Sequence, residues 1–144
     1  PAITPMVWAV CADLNVSYAT AVTLFQSRLF EDMFPAENQF FANCVFVDAI
    51  DKDRIKSLER MRTEMLSFDF DAAVFIGGME GVLDEYQMFT KMHPGATVLA
   101  VPSPGGAAQQ LAVQLGQSND RVDFARLFYE KLGVSAIESR DLVG

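Results

Sequence analysis

Two glycine pairs are the residues of this chain best suited to chemistry. Gly77-Gly78 ends the apolar run Ala72–Ile76, with Gly81 three residues further on; Gly105-Gly106 follows the run Thr97–Val101 after Pro102-Ser103-Pro104. A glycine loop between a strand and a helix exposes backbone N–H groups at the positive end of the helix dipole, where a phosphate can sit. Glycine is needed because a Cβ blocks both the turn and close ligand approach. The candidate anion cradle is therefore Gly77, Gly78, Met79, Glu80 and Gly81, with Gly105, Gly106 and Ala107 beside it. Ser103 can offer a hydroxyl to a phosphate or a ribose, or simply cap the following helix. Glu80, Asp84 and Glu85 lie in the first turns behind the first loop. A carboxylate there can take ribose hydroxyls or assist cleavage of a glycosidic bond, and Glu85 is the leading candidate for both. Each of the three also suits a helix N-terminus electrostatically. Arg28 follows a strand directly and can bind phosphate in bidentate fashion or pair with Glu31 or Asp32 on the surface.

These residues need an alternating scaffold. Thr4 reads as an N-cap with Pro5 at the first helical position of a helix to Leu14. Thr20–Gln26 reads as a strand, Ser27–Asn38 as a loop, and Cys44–Val47 as a second strand. Asp51–Leu66 is an amphipathic helix with Ile55, Leu58, Met61 and Met65 on one face. Strand Ala72–Ile76, helix Glu80–Met92, strand Thr97–Val101 and helix Ala107–Leu115 follow. A last helix runs from an Asp120 cap to Leu132 and stops at Gly133. Strands that are continuous apolar runs alternating with helices indicate an α/β fold with a mainly parallel sheet covered on both faces. No linker interrupts the pattern, so residues 1–144 read as one domain. In such a sheet ligands bind outside the carboxyl ends of the strands, which puts both glycine loops and Arg28 on one edge.

Composition narrows the partners. The 144 residues are 51% hydrophobic and 21% charged, as in a packed globular chain, and the formal net charge is −8. That charge opposes a nucleic-acid partner and an anionic membrane surface, but not a small phosphorylated ligand held by local donors. The two cysteines, Cys11 and Cys44, lack metal-ligand spacing and read as core residues in a reducing, cytoplasmic setting. No Ser–His–Asp, zinc or Gly-x-x-x-x-Gly-Lys arrangement is present, so neither metal nor cofactor is expected. His93 reads as a partner for a helix C-terminus. Trp8 with Phe25, Phe30, Phe34, Phe40 and Phe41 forms either core or a subunit interface.

Residues 1–10 (PAITPMVWAV), 24–28 (LFQSR), 75–81 (FIGGMEG) and 101–108 (VPSPGGAA) resemble the SLOG superfamily, in particular a bacterial branch of stand-alone SLOG proteins. The resemblance covers most of the chain. It implies a Rossmann-like, doubly wound fold related to the Lonely Guy phosphoribohydrolases, the TRPM-channel ligand domain and the Thoeris sensor domain. The hydrolase pattern is Gly-Gly-x-Gly-Thr-x-x-Glu. Here the loop is one residue longer, with Val82 at the threonine position and Glu85 at the glutamate position. The lost hydroxyl and the shifted cradle move the expectation from catalysis to binding. The branch also carries a strand and a Gly-Gly-His segment before the opening motif. This chain opens on Pro1 and a helix-like stretch, so residues upstream are expected to have been removed.

The resulting expectation is a sensor of a nucleotide or NAD-derived phosphorylated small molecule, in bacterial antiviral signalling, acting through a homo-oligomer interface or a partner effector domain. Two alternatives are a nucleoside-monophosphate phosphoribohydrolase or related N-glycosidase with Glu85 as catalytic residue, and an interaction domain with a relic pocket.

Overall fold

A computed structural model describes residues 3–13, 22–117 and 123–135. The chain is α/β and Rossmann-like, built from parallel strands alternating with helices. Its contacts group into two compact units, Pro1–Ser67 and Phe68–Gly144. Among the described residues no helix is long and apolar enough to cross a membrane.

In the first unit, β1 (Thr23–Ser27) pairs in parallel with β2 (Asn43–Val47), Thr23 opposite Asn43 and Ser27 opposite Val47. A parallel pair needs a crossover, because a tight hairpin can join only antiparallel strands. The expected loop provides it with two 3-10 helices, Arg28–Met33 and Ala36–Phe40. The Ser27 hydroxyl accepts from the Leu29 N–H at 3.4 Å to start the first of them. Helix α1 (Ile3–Asp13) packs on the second, where Trp8 stacks on Phe40 at 4.5 Å and meets Phe41 edge-on at 6.2 Å. These aromatic rings are thus committed to one another within the unit. Thr4 is not the cap: α1 already includes Ile3, and Thr4 is buried inside the first turn, where Pro5 is still tolerated. Leu14 and Thr20 lie outside the described residues.

Helix α2 (Arg54–Leu66) packs against β1 and β2. It starts three residues later than expected because Asp51 and Lys52 take left-handed backbone angles, φ 48° and 57°, which no helix accommodates. Asp53 then caps it, its carboxylate accepting from the N–H groups of Ile55 at 2.9 Å and Lys56 at 3.2 Å. The Lys56 N–H, foremost, holds the Asp53 carboxyl below the usual carboxylate range against the opposing effect of desolvation, aided by the Ile55 N–H and the Lys56 charge. A depressed folded pKa means that this stabilisation is present above the unfolded pKa and is lost as pH falls through the folded value. Asp53→Asn keeps the cap but cannot titrate, so its acid-unfolding curve, followed by circular dichroism, is expected to be flatter over that window. The buried Ser57 locks the turn from the other side, its Oγ accepting from the Ile50 N–H at 2.9 Å.

In the second unit, β3 (Ala72–Ile76) pairs in parallel with β4 (Thr97–Val101), both with the expected bounds. Helix α3 (Gly81–Met92) makes the crossover; α4 (Gly106–Gln114) follows β4 and packs on both strands. Leu99, Ala100, Val101, Leu111 and Phe89 are buried, and so are Ala107, Ala108 and Ala112, whose small side chains bring α4 close to the sheet. His93 closes α3: its N–H donates to the Phe89 carbonyl at 2.8 Å, and its ring packs edge-on against Phe70. Helix α5 (Phe124–Leu132) is capped by Asp123, which accepts from the Arg126 N–H at 2.9 Å. The expected cap, Asp120, lies outside the described residues. Gly133 ends α5 in the left-handed region, as expected, with Val134 N–H reaching back to the Phe128 carbonyl.

The edge of β4 away from β3 is met by a side chain. Gln117 Oε1 accepts from the Ala100 N–H at 2.8 Å, and its Nε2 donates to the Val98 carbonyl at 2.9 Å. One amide thus does what a neighbouring strand would do and blunts the edge. Gln117→Ala leaves the buried Ala100 N–H without this acceptor and is expected to cost about 2–3 kcal/mol in urea unfolding. Gln117→Glu keeps the acceptor, loses the donor, and should fall between the two.

Candidate functional site

The first glycine loop owes its shape to two successive left-handed residues, a conformation that glycine adopts most readily. Gly77 and Gly78 have φ of 62° and 77° in succession, and a Cβ on Gly78 would strike Val82. The chain then turns into α3: the Val82 N–H donates to the Met79 carbonyl and the Leu83 N–H to the Glu80 carbonyl, both at 2.9 Å. Glu80 stands at the N-cap position without a side-chain cap bond, because its backbone is already helical.

The second glycine pair is pressed against the first. The Ala107 N–H donates to the Gly78 carbonyl and the Ala108 N–H to the Gly77 carbonyl, both at 3.0 Å. A Cβ on Gly106 would run into the Gly78 carbonyl oxygen and approach the Gly77 carbonyl carbon to 3.2 Å. The positive end of α4 is therefore occupied by two carbonyls of the first loop. The Gly105 N–H is taken as well, by the Pro102 carbonyl at 2.9 Å.

This latch orients the first loop. In a trans peptide the N–H points opposite to the carbonyl of the same peptide plane. With the Gly77 and Gly78 carbonyls held toward α4, the N–H groups of Gly78 and Met79 point away from it. Those two and the Glu80 N–H have no acceptor among the described residues. They lie just before the N-terminus of α3, whose partial positive charge adds to theirs. Between Gly77 and Gln117 the only basic side chains are Lys91 and His93, at the far end of α3. Any attraction for an anion here thus comes from the backbone N–H groups and the helix dipole, and it works against the carboxylates of Glu80, Asp84 and Glu85.

The other predicted residues fall as follows. Met79 is the most exposed large apolar side chain of the loop, at 80%. Glu80 and Asp84 are exposed, and Glu85 is half-buried within the first turns of α3. Ser103 is exposed in the Pro102–Gly105 turn and does not cap α4, whose cap position is Gly105. Arg28 belongs to the first unit. Its guanidinium pairs with Glu31 at 2.7 Å, the expected surface partner, and with Asp48 at 3.4 Å. It also lies over the Phe46 ring, 5.1 Å from the centroid. Asp48 and Phe46 were not singled out by the sequence; their position two residues apart at the end of β2 was the available signal. Cys44 is half-buried, and burial pushes its thiol pKa up, which suits an unreactive residue. Among the described residues no group of three or more His, Cys, Asp or Glu could hold a metal ion.

Comparison with curated proteins and with solved structures gives no match. Comparison with family profiles does: the profile described as the SLOG cluster3 family matches residues 1–132, nearly the whole chain, including both glycine loops and α3 between them. On the strength of that coverage, this Rossmann-like chain belongs to the SLOG cluster3 family.

Proposed function

We propose that this chain binds a nucleotide or NAD-derived phosphorylated small molecule as a sensor. The observation that carries the reading is the oriented set of N–H groups at Gly78, Met79 and Glu80, without acceptors among the described residues and placed at the start of α3. A phosphate oxygen accepting from them gains charge-assisted bonds and the helix dipole together. Gly77 and Gly81 allow the backbone its approach, and Gly105, Gly106 and Ala107 brace the loop from behind. Ser103 offers a hydroxyl from the neighbouring turn, and Glu85 takes ribose hydroxyls. The acidic chain, at net charge −8, suits neither nucleic acid nor a membrane surface as partner. The setting we infer is bacterial antiviral signalling in the cytoplasm, with ligand capture biasing a homo-oligomer interface or a partner effector domain.

A thermal-shift series with ADP-ribose, cyclic ADP-ribose, NAD and AMP tests this reading. At least one is expected to raise Tm, and Gly78→Val should remove the shift. No shift with any of the four sinks the proposal. Release of free base from AMP, lost in Glu85→Gln, would instead make the chain a hydrolase.

A further inference from the structure

The two edges of the β3–β4 pair differ. In a parallel pair, successive residues of a strand direct their backbone groups alternately toward the neighbour and away from it. The Thr97 N–H donates to the Asp71 carbonyl at 2.9 Å, and Ala72 is the register partner of Thr97. Asp71, Ala73 and Phe75 therefore bond to β4, through Thr97, Leu99 and Val101. Val98 and Ala100 face the far side of β4, where the Gln117 amide takes the Val98 carbonyl and the Ala100 N–H. By the same alternation Ala72, Val74 and Ile76 direct their N–H and C=O groups away from β4. These groups have no partner among the described residues.

An open strand edge is a template for another strand, and proteins protect such edges with charge, proline or a bulge. β3 has none of these: residues 72–79 contain no charged residue and no proline, and the register with β4 is unbroken. Val74 and Ile76 also remain 38% and 48% exposed. The occupant of this edge must be an extended, apolar segment, and a second copy of β3 is one. Antiparallel pairing across a two-fold axis at Val74 sets Val74 opposite Val74 of the partner subunit, and Ala72 opposite Ile76 of the partner subunit. Opposite residues whose backbone groups face each other exchange both hydrogen bonds, so every outward N–H and C=O of Ala72, Val74 and Ile76 is satisfied. The side chains of these residues share one face, where valine meets valine and alanine meets isoleucine. Each copy carries a net charge of −8, and an uncharged seam lets two such chains meet without setting like charges opposite each other. Gln117 occupies the other edge of this sheet, so the pairing closes at two copies.

We propose that β3 is the dimerisation strand of this chain, pairing antiparallel with β3 of a second copy about a two-fold axis at Val74. This gives the homo-oligomer of the preceding section an interface, and it does not rest on ligand binding. It also joins the interface to the loop: β3 runs directly into Gly77-Gly78, and the pairing sets Gly77 opposite Asp71 of the partner subunit.

The test is analytical ultracentrifugation of the full chain, without ligand, from about 1 μM to about 1 mM. The seam of one five-residue strand is a small interface, so a dissociation constant on the order of 10–100 μM is expected. Val74→Lys and Val74→Glu each set like charges at the axis and should weaken the dimer about tenfold or more. An equal mixture of the two should restore it to within about threefold, because Lys then faces Glu. Val113→Lys, at a side chain 63% exposed on α4, should leave association unchanged. Circular dichroism checks that the variants fold. Hydrogen exchange of the wild-type chain reads the seam directly. The Ala72, Val74 and Ile76 amides should be protected at high concentration and exchange on dilution, while Ala73 and Phe75 stay protected throughout. A chain that stays monomeric at the highest concentration overturns the proposal, as does a dimer that survives both Val74 variants. A mixture that fails to restore association overturns it too. Protection of the Ala72, Val74 and Ile76 amides at every concentration would mean that the chain covers this edge itself, which also overturns it. Each of these failures leaves the phosphate reading standing, and a failed thermal-shift series leaves the dimer standing.

Discussion

Gly106→Ala is expected to destabilise the protein by about 3–5 kcal/mol and to abolish ligand binding at the Gly77–Gly81 loop. Two effects add. The residue has φ 68°, where a side chain is strained, and its new Cβ would meet the Gly78 carbonyl oxygen. Neither obstacle is a side chain that can swing aside. Relief requires the Gly77-Gly78 carbonyls to move off the Ala107 and Ala108 N–H groups, and those bonds aim the loop. Gly116→Ala is the control. Gly116 has a similar φ of 66°, but a Cβ added there would meet nothing within 4 Å, so only strain of about 1–2 kcal/mol is expected. Urea unfolding of both variants isolates the clash as the difference between them. Equal costs would show that the two loops are not pressed together.

Phe89→Ala is expected to cost about 3–5 kcal/mol, and to lower Tm by roughly 10 °C. The side chain is 2% exposed and lies among Phe70, Phe75 and His93, with ring centroids at 6.3, 6.5 and 5.0 Å. Removing the ring deletes all three contacts and leaves a void among rigid rings that cannot collapse to fill it. Phe89→Leu, which keeps most of the volume, should cost about 1–2 kcal/mol. The consequence for function follows from position. Phe89 fastens α3 to β3, and the first turn of α3 carries the loop. Calorimetry of the two variants checks the order; a Phe89→Ala protein as stable as Phe89→Leu would mean that the cluster repacks freely.

Much of the scaffold was legible because local chemistry and tertiary structure agree there. Ala72–Ile76 and Thr97–Val101 are apolar runs bounded by breakers, and they are strands to the residue. Gly133 ends α5 because a left-handed residue is what its last turn requires. The disagreements have equally local causes. Asp51 and Lys52 fit the helical pattern of α2 but sit in a left-handed turn, which Asp53 ends by capping. Ser27–Asn38 lacks apolar periodicity and so reads as a loop, whereas short 3-10 turns, which need no such periodicity, fill it.

By itself the sequence determined the α/β alternation, the two glycine loops at strand ends and the acidic first turns of α3. These follow from apolar runs, backbone freedom and charge, which are properties of neighbouring residues. Only the tertiary structure decided what the second loop does. Its sequence promises another set of anion-binding N–H groups, but those of Ala107 and Ala108 are taken by the Gly77 and Gly78 carbonyls. A hydrogen bond between residues about thirty apart depends on the register of β3 with β4, and no local pattern encodes that register. For the same reason the sequence offers Arg28 its local partner Glu31 but not Asp48 or Phe46, which reach it through the register of β1 with β2.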